Sequence, residues 1–193
     1  MNQFQRALPR LQAFVASALL ALQLGGCHAK PRASEATAQR GSVLRLVAPN
    51  TGIGLQICDP QGSSCAGSAV GSAVPAGSVL RTGSRSSAQI KLTDGTALAL
   101  DHDTELQLTG GSHGARLSHG ALVLDVANAA GARAQLDVNE GTLDIKSGKI
   151  SLRVGSDFAI LDVIRGSATL SARGASLQVN GGEEARLYRG SAP

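Results

Sequence analysis

The stretch from Val79 to Leu100, VLRTGSRSSAQIKLTDGTALAL, limits the possible fold more than any other part of the chain. On its second half Ala88, Ile90 and Leu92 alternate with Gln89, Lys91 and Thr93. After Asp94-Gly95, Leu98 and Leu100 alternate with Ala97 and Ala99. Apolar residues at every second position define a strand with one buried face. An Asp-Gly pair between two such arms signals a tight hairpin, because both central residues of a type I′ turn take positive φ. The expectation is an antiparallel pair turning at Asp94 and Gly95.

The rest of the chain repeats the theme. Val43, Leu44, Leu46 and Val47 open a first strand. His119-Gly120 leads to Leu122, Leu124 and Val126; Glu140-Gly141 leads to Leu143 and Ile145; Arg165-Gly166 leads to Ala168 and Leu170. Gly120 and Gly166 are read, like Asp94 and Gly95, as turn residues between short strands. FAILDVI (158–164) is nearly apolar throughout, as expected of a strand covered on both faces. Aromatic residues make up only 2% of the chain, so the core is built from small aliphatic side chains and must be thin. These features define an all-β domain, either an antiparallel β-sandwich or a short β-solenoid-like stack of hairpins. The spacing is too irregular for a true repeat protein.

The domain begins after a leader. Residues 1–26 carry Arg6 and Arg10 ahead of an apolar run from Leu11 to Leu24, and read as the helix of a secretory signal. The run is too short for a comfortable membrane span. It ends in Leu24-Gly25-Gly26-Cys27, which resembles the lipobox of bacterial lipoproteins and implies that Cys27 becomes a lipid-modified N-terminus. Several acyl chains make a stable anchor where one is marginal. His28 follows the cysteine where an aspartate would retain the protein; by the sorting rule of enteric lipoproteins, this points to the periplasmic face of the outer membrane. Residues 27–40 are small and polar, a flexible tether, and the β domain spans 41–190. In an exported chain, Cys58 and Cys65 around DPQGSS are expected to pair as a disulfide, with a zinc site as the competing reading. Zinc takes about four ligands, and no His or Cys in residues 29–101 completes such a set.

Catalytic and nucleic-acid roles find little support. Setting Arg6 and Arg10 aside leaves 16 basic residues against 14 acidic, distributed along strands and not gathered into a stripe. With aromatics so scarce, a nucleic-acid surface is excluded. Gly110-Gly111-Ser112-His113-Gly114 matches the Gly-x-Ser-x-Gly pattern, but that motif requires a strand-to-helix turn and strand-like residues flank it here. Asp101 and Asp103 alternate to one side and His102 to the other, which disfavours a three-ligand metal site. Gly52-Ile53-Gly54 lacks the third glycine and helix of a dinucleotide site. No enzyme, cofactor, metal or small-molecule substrate is implied.

Taken as a set, these residues resemble the FecR domain family, periplasmic regulators of iron-transport signalling. The family lead and central pattern correspond to Gly77, Leu80-Arg81-Thr82-Gly83, Ala88, Ile90, Leu92, Asp94-Gly95-Thr96, Leu98 and Leu100. Downstream matches are Leu117-Ser118-His119-Gly120-Ala121-Leu122 with Val126, then Val163-Ile164-Arg165-Gly166-Ser167-Ala168-Thr169-Leu170, and Gly182-Glu183. The resemblance runs over about 41–188. It departs at Gly148-Lys149-Ile150-Ser151-Leu152, where the family favours "G-T-x-F-x-V". The cytoplasmic anti-sigma segment, transmembrane helix and receptor-contacting module of signalling members find no counterpart.

The function expected is therefore non-catalytic: a lipid-anchored envelope protein whose β domain binds a protein partner in envelope signalling or assembly. The alternative is a structural adaptor linking the outer membrane to peptidoglycan or a surface complex. A sheet this poor in Trp and Tyr is expected to offer a strand edge to its partner. The segment Lys146–Arg153 is the expected edge, with Lys149, Ser151 and Arg153 as its contact residues.

Overall fold

The computed structural model describes residues 38–49, 52–109, 114–127 and 133–193. The signal segment, Cys27 and residues 110–113, including Ser112, lie outside them. Every element described is a strand, fourteen in all: β1 (Gln39–Val47), β2 (Leu55–Cys58), β3 (Cys65–Gly67), β4 (Ala73–Pro75), β5 (Val79–Thr82), β6 (Ser87–Leu92), β7 (Ala97–Leu100), β8 (Glu105–Leu108), β9 (Gly114–Val126), β10 (Ala134–Val138), β11 (Gly141–Val154), β12 (Phe158–Ala172), β13 (Ala175–Asn180) and β14 (Glu184–Tyr188). The first strand takes in Gln39 and Arg40, which the sequence places in the tether. Arg40 is buried, and its guanidinium lies 3.6 Å from the Asp94 carboxylate.

Hydrogen bonding joins all fourteen strands, but the strands form two facing layers. One runs β4-β1-β6-β7-β9-β11-β12-β14, through the C-terminal halves of β9 and β11 and the N-terminal half of β12. The other runs β3-β2-β5-β8-β9-β10-β11-β12-β13, through the opposite halves of the same three strands. We call these layer A and layer B. Their inner faces share one apolar cluster. Leu92, Leu98 and Leu124 of layer A and Leu106, Leu136 and Ala115 of layer B line the same void of about 20 Å³. The core is leucine, isoleucine, valine and alanine, as the scarcity of aromatics implies. Each fully buried leucine stabilises by about 1.5–3 kcal/mol, so the thin core gains through many contacts of similar size.

The architecture is a β-sandwich whose two sheets are joined by strands that switch layers at bent corners. Each crossing strand changes phase as it bends. In β9 the buried positions are Ala115 and Leu117, then Leu122, Leu124 and Val126. In β11 they are Leu143 and Ile145, then Ile150, Leu152 and Val154. In β12 they are Ala159, Leu161 and Val163, then Ala168, Leu170 and Ala172. Each series passes from odd to even numbers, because one extra residue at the corner keeps the apolar side on the interior while the strand changes sheet. Gly120, Gly148 and Gly166 mark the three switches, with φ of +96°, +136° and +86°. Gly120 and Gly166 are therefore not turns between strands, as the sequence reading has them; they are corners inside strands of 13 and 15 residues.

Two further expectations change in detail. After β9 the chain returns to layer B, and β10 runs parallel to the start of β9, Leu136 beside Ala115, so the sheet is mixed and not wholly antiparallel. The hairpin turn is present between β6 and β7, but only Gly95 has positive φ. The Gly95 N–H donates to the Leu92 carbonyl at 3.1 Å and the Leu92 N–H to the Thr96 carbonyl at 2.8 Å. This is a type I turn closed by a glycine bulge, with Asp94 inside the turn, its Oδ1 accepting from the Thr96 N–H at 2.9 Å. A longer loop needs only one residue in the left-handed region, so Asp94 escapes it. FAILDVI keeps its inner face buried, but Ile164 is exposed, so outer apolar residues there do not mark a second cover.

Candidate interaction surface

The loops beside the β9 corner are held by two buried hydroxyls. Thr82, at the end of β5, donates from Oγ1 to the Asp101 carbonyl at 2.5 Å and accepts from the Thr104 N–H at 3.0 Å. Thr104 Oγ1 accepts from the Ala121 N–H at 3.0 Å and lies 3.1 Å from the carbonyls of His102 and Ala121, either of which can take its proton. Gly120 completes the junction: a Cβ there would meet Thr104 Cα at 2.5 Å and the Asp103 carbonyl at 2.7 Å. Buried polar groups at a strand crossing are costly unless paired, and these two side chains pair them. The Leu-x-Thr-Gly stretch at 80–83 thus has a physical reason for its threonine.

That junction fixes the outer face of layer A. Small residues on β7 and β9, namely Ala97, Ala99, Ala121 and Val123, make a floor between longer side chains on β6 and β11. Two adjoining hollows share this floor. One, of about 200 Å³, is bounded by Leu44, Gln89, Asp125 and Lys149; the other, of about 290 Å³, by Ser87, Asp101, Ser151 and Arg153. The rim mixes signs. Arg165 donates to Asp125 at 3.1 Å, and Asp101 accepts from the His102 N–H at 2.8 Å. That backbone bond, then the His102 side chain and the nearby Arg153, hold the Asp101 carboxyl below its ordinary value against a smaller opposing effect of burial. The surface is a shallow groove with an apolar floor and a charged border.

Lys149, Ser151 and Arg153 stand together on this border, but not on an edge. β11 is flanked on both sides: Lys149 faces Asp125 and Arg165, Ser151 faces Val123 and Asp162, and Arg153 faces Ala121 and Ile160. Alternation along one strand reveals which side chains point out, not which strands lie beside it. Among the described residues the edge strands are β3, β4, β13 and β14. Cys58 and Cys65 form the expected disulfide, directly opposite one another on β2 and β3. Arg81 Nη1 stands 3.6 Å from Cys65 Sγ, while Arg81 Nε bonds Glu105 at 2.8 Å. Sequence reasoning missed the groove, although the run of alanines at 97, 99 and 121 between bulkier neighbours was there to be seen.

Chemistry is sparse on this surface. His102 Nδ1 and Asp101 Oδ1 meet at 2.9 Å in solvent. Among the described residues, no three His, Cys, Asp or Glu side chains are grouped to hold a metal. Among the same residues no helix is long and apolar enough to cross a membrane.

Fold and surface together define an all-β sandwich with a shallow groove on one outer face. Residues 78–169 match the family described as FecR protein. That span contains the Thr82–Thr104 junction, the hairpin, the groove but for Leu44, and the three strand corners at Gly120, Gly148 and Gly166. Two crystal structures of a candidate anti-sigma factor from Parabacteroides distasonis ATCC 8503, at 2.50 and 1.65 Å resolution, share the fold with TM-scores of 0.54 each. Their sequences are 12% and 11% identical, over 60% of this chain and 56% and 57% of theirs. The chain thus spans just over half the length of those structures. No curated protein sequence matches it.

Proposed function

We propose that this chain is an exported, lipid-anchored protein whose FecR domain binds a protein partner in envelope signalling or assembly, and that the domain itself catalyses nothing. The observation that carries the reading is the FecR match across 78–169, the segment that builds the groove. The likeness in fold to a candidate anti-sigma factor supports a regulatory setting. Cys27, at the end of the apolar leader, supplies the lipid attachment, and the outer membrane's periplasmic face is its place.

The groove is the proposed binding surface. Its alanine floor lets a partner main chain approach closely, and Lys149, Arg153, Asp101 and Asp125 give the border a pattern of charge that discriminates among partners. Photo-crosslinking residues at Ala99, Ser151 and Arg153 in living cells should trap an envelope protein, while Gln135, exposed on layer B, should not. Adducts from Gln135 alone would move the site to the other layer. No protein adduct, with the chain retained on purified cell wall, would replace this reading with the adaptor. Separately, Cys27→Ser should abolish incorporation of labelled fatty acid; persistent labelling removes the anchor.

A further inference from the structure

The four strand edges are not equally defended. Natural sheets protect their edges by keeping them short, or with proline, charge or a bulge. β3 and β4 have three residues each, and β4 ends in Pro75. β14 alternates Glu184 and Arg186 along its outer side, joined as an ion pair. β13, ASLQVN, has six residues, no proline, no charge and an unbroken register with β12 from Ser167↔Asn180 to Ala172↔Ala175. Its free side carries main-chain donors and acceptors with nothing to deter a further strand.

The side chains add a second observation. Leu177 lies opposite Leu170, which is buried in the core, and shares its face of the sheet with buried Val179. Leu177 is nevertheless 41% exposed, because the inner face of layer B ends there. Leu170 and Val179 are buried, so Leu177 is the apolar side chain left uncovered at this rim.

We propose that β13 pairs antiparallel with β13 of a second copy, extending layer B across a two-fold axis. For the inner faces to remain continuous, opposed residues must point the same way, so the register must be centred on a residue and not between two. Centring on Leu177 places Leu177 opposite Leu177 of the second copy, Ala175 opposite Val179, and Ser176 opposite Gln178, which covers the open rim with its own kind. The residues that bracket the strand have opposite sign, Arg173 before it and Glu183 after it. Antiparallel pairing brings the basic end of one copy to the acidic end of the other, whereas parallel pairing would set like charges side by side. This contact is on a different surface from the groove, and it stands or falls independently of the proposed partner.

Cysteine cross-linking of the full chain, isolated in detergent, tests both the pairing and the register. Leu177→Cys should yield a dimer that collapses on reduction, and co-expressed Ser176→Cys and Gln178→Cys chains should cross-link to each other. Arg186→Cys, exposed on the β14 edge, should give no cross-linked dimer. Leu177→Lys should weaken dimerisation by about tenfold or more in sedimentation while the chain keeps its native circular dichroism, since a charge at an edge blocks strand addition without unfolding the sheet. The proposal is overturned if the unmodified chain sediments as a monomer at every concentration, if Leu177→Cys cross-links no more than Arg186→Cys, or if Leu177→Cys is captured by a different protein in place of its own copy.

Discussion

Gly95 and the facing pair Gly148 and Gly166 all have positive φ, at +88°, +136° and +86°, but they serve different ends. Around Gly95 there is room: an added Cβ would touch only the Ala127 Cβ, at 3.5 Å. Its hydrogen is needed for the backbone angle alone. At the crossing, Gly148 lies opposite Gly166, and a Cβ on either would meet a carbonyl of the other strand, Arg165 at 2.2 Å or Ser147 at 2.4 Å. There the missing side chain is what lets two bent strands stay in register. One position is a conformational requirement and the other a spatial one as well. The hairpin forms one connection, whereas the crossing holds both layers together.

The largest effect should come from Gly166→Val. No rotamer relieves a Cβ set against opposing backbone, so β11 and β12 must separate at the corner; the loss should exceed roughly 4 kcal/mol and leave little folded protein by circular dichroism. A well-folded Gly166→Val would erase the distinction between the two sites. Next is Thr104→Val, which keeps shape but removes the hydroxyl bonded to Ala121 across the β9 corner. Leaving those buried backbone groups unpaired should cost about 1–3 kcal/mol in chemical denaturation, and Thr104→Ser should recover most of it. Gly95→Ala tests the other side of the comparison. With space available and only the left-handed backbone to oppose it, the cost should be about 1–2 kcal/mol, and Gly95→Asn should cost less. A loss as large as that of Gly166→Val would show that the hairpin, not the crossing, organises the domain.

The smallest effect is set by pH. Asp101 beside the β9 corner is held low chiefly by the His102 N–H, and Glu140 chiefly by Arg173. Carboxyls that are depressed in the folded state stabilise it above their ordinary values of 3.8 and 4.5, and that contribution is lost as the pH falls through and below this range. Asp101→Asn should flatten the acid limb of the melting-temperature profile by slightly lowering the plateau near neutrality, where the carboxylate makes its contribution, and leaving the acid end unchanged. An unchanged acid limb would detach Asp101 from the corner's stability.

Much of this fold was legible because period two is visible in any strand with one buried face. Ala88, Ile90, Leu92, Leu98 and Leu100 all reach the core from the hairpin as the alternation demands. The crossings were legible too, in a form that is easy to misread. Leu117 to Leu122, Ile145 to Ile150 and Val163 to Ala168 are each separated by five residues across a glycine, an odd step that reverses phase. A hairpin also breaks phase, so the same signal reads equally well as turns at Gly120 and Gly166. Choosing between them requires knowing which strand lies alongside, and that is settled by packing between distant segments. For the same reason Lys149, Ser151 and Arg153 could be placed on an outward face but not on an edge. The groove depends on Ala97 and Ala121 becoming neighbours of the same surface through β7 and β9, a fact no local window contains.

β1 has a consequence of a mechanical kind. It is hydrogen-bonded to β6 on one flank and to β4 on the other, and Gly41 sits where a Cβ would be 2.6 Å from the Lys91 carbonyl. Any pull transmitted along the chain from residues before 38 enters the domain through this strand. Because antiparallel bonds run across the strand axis, a pull along that axis loads the bonds on both flanks together, as a rivet row is loaded, and does not peel them one by one. The strand through which the chain enters the domain is thus also one that passes tension to two neighbours at once, β4 and β6.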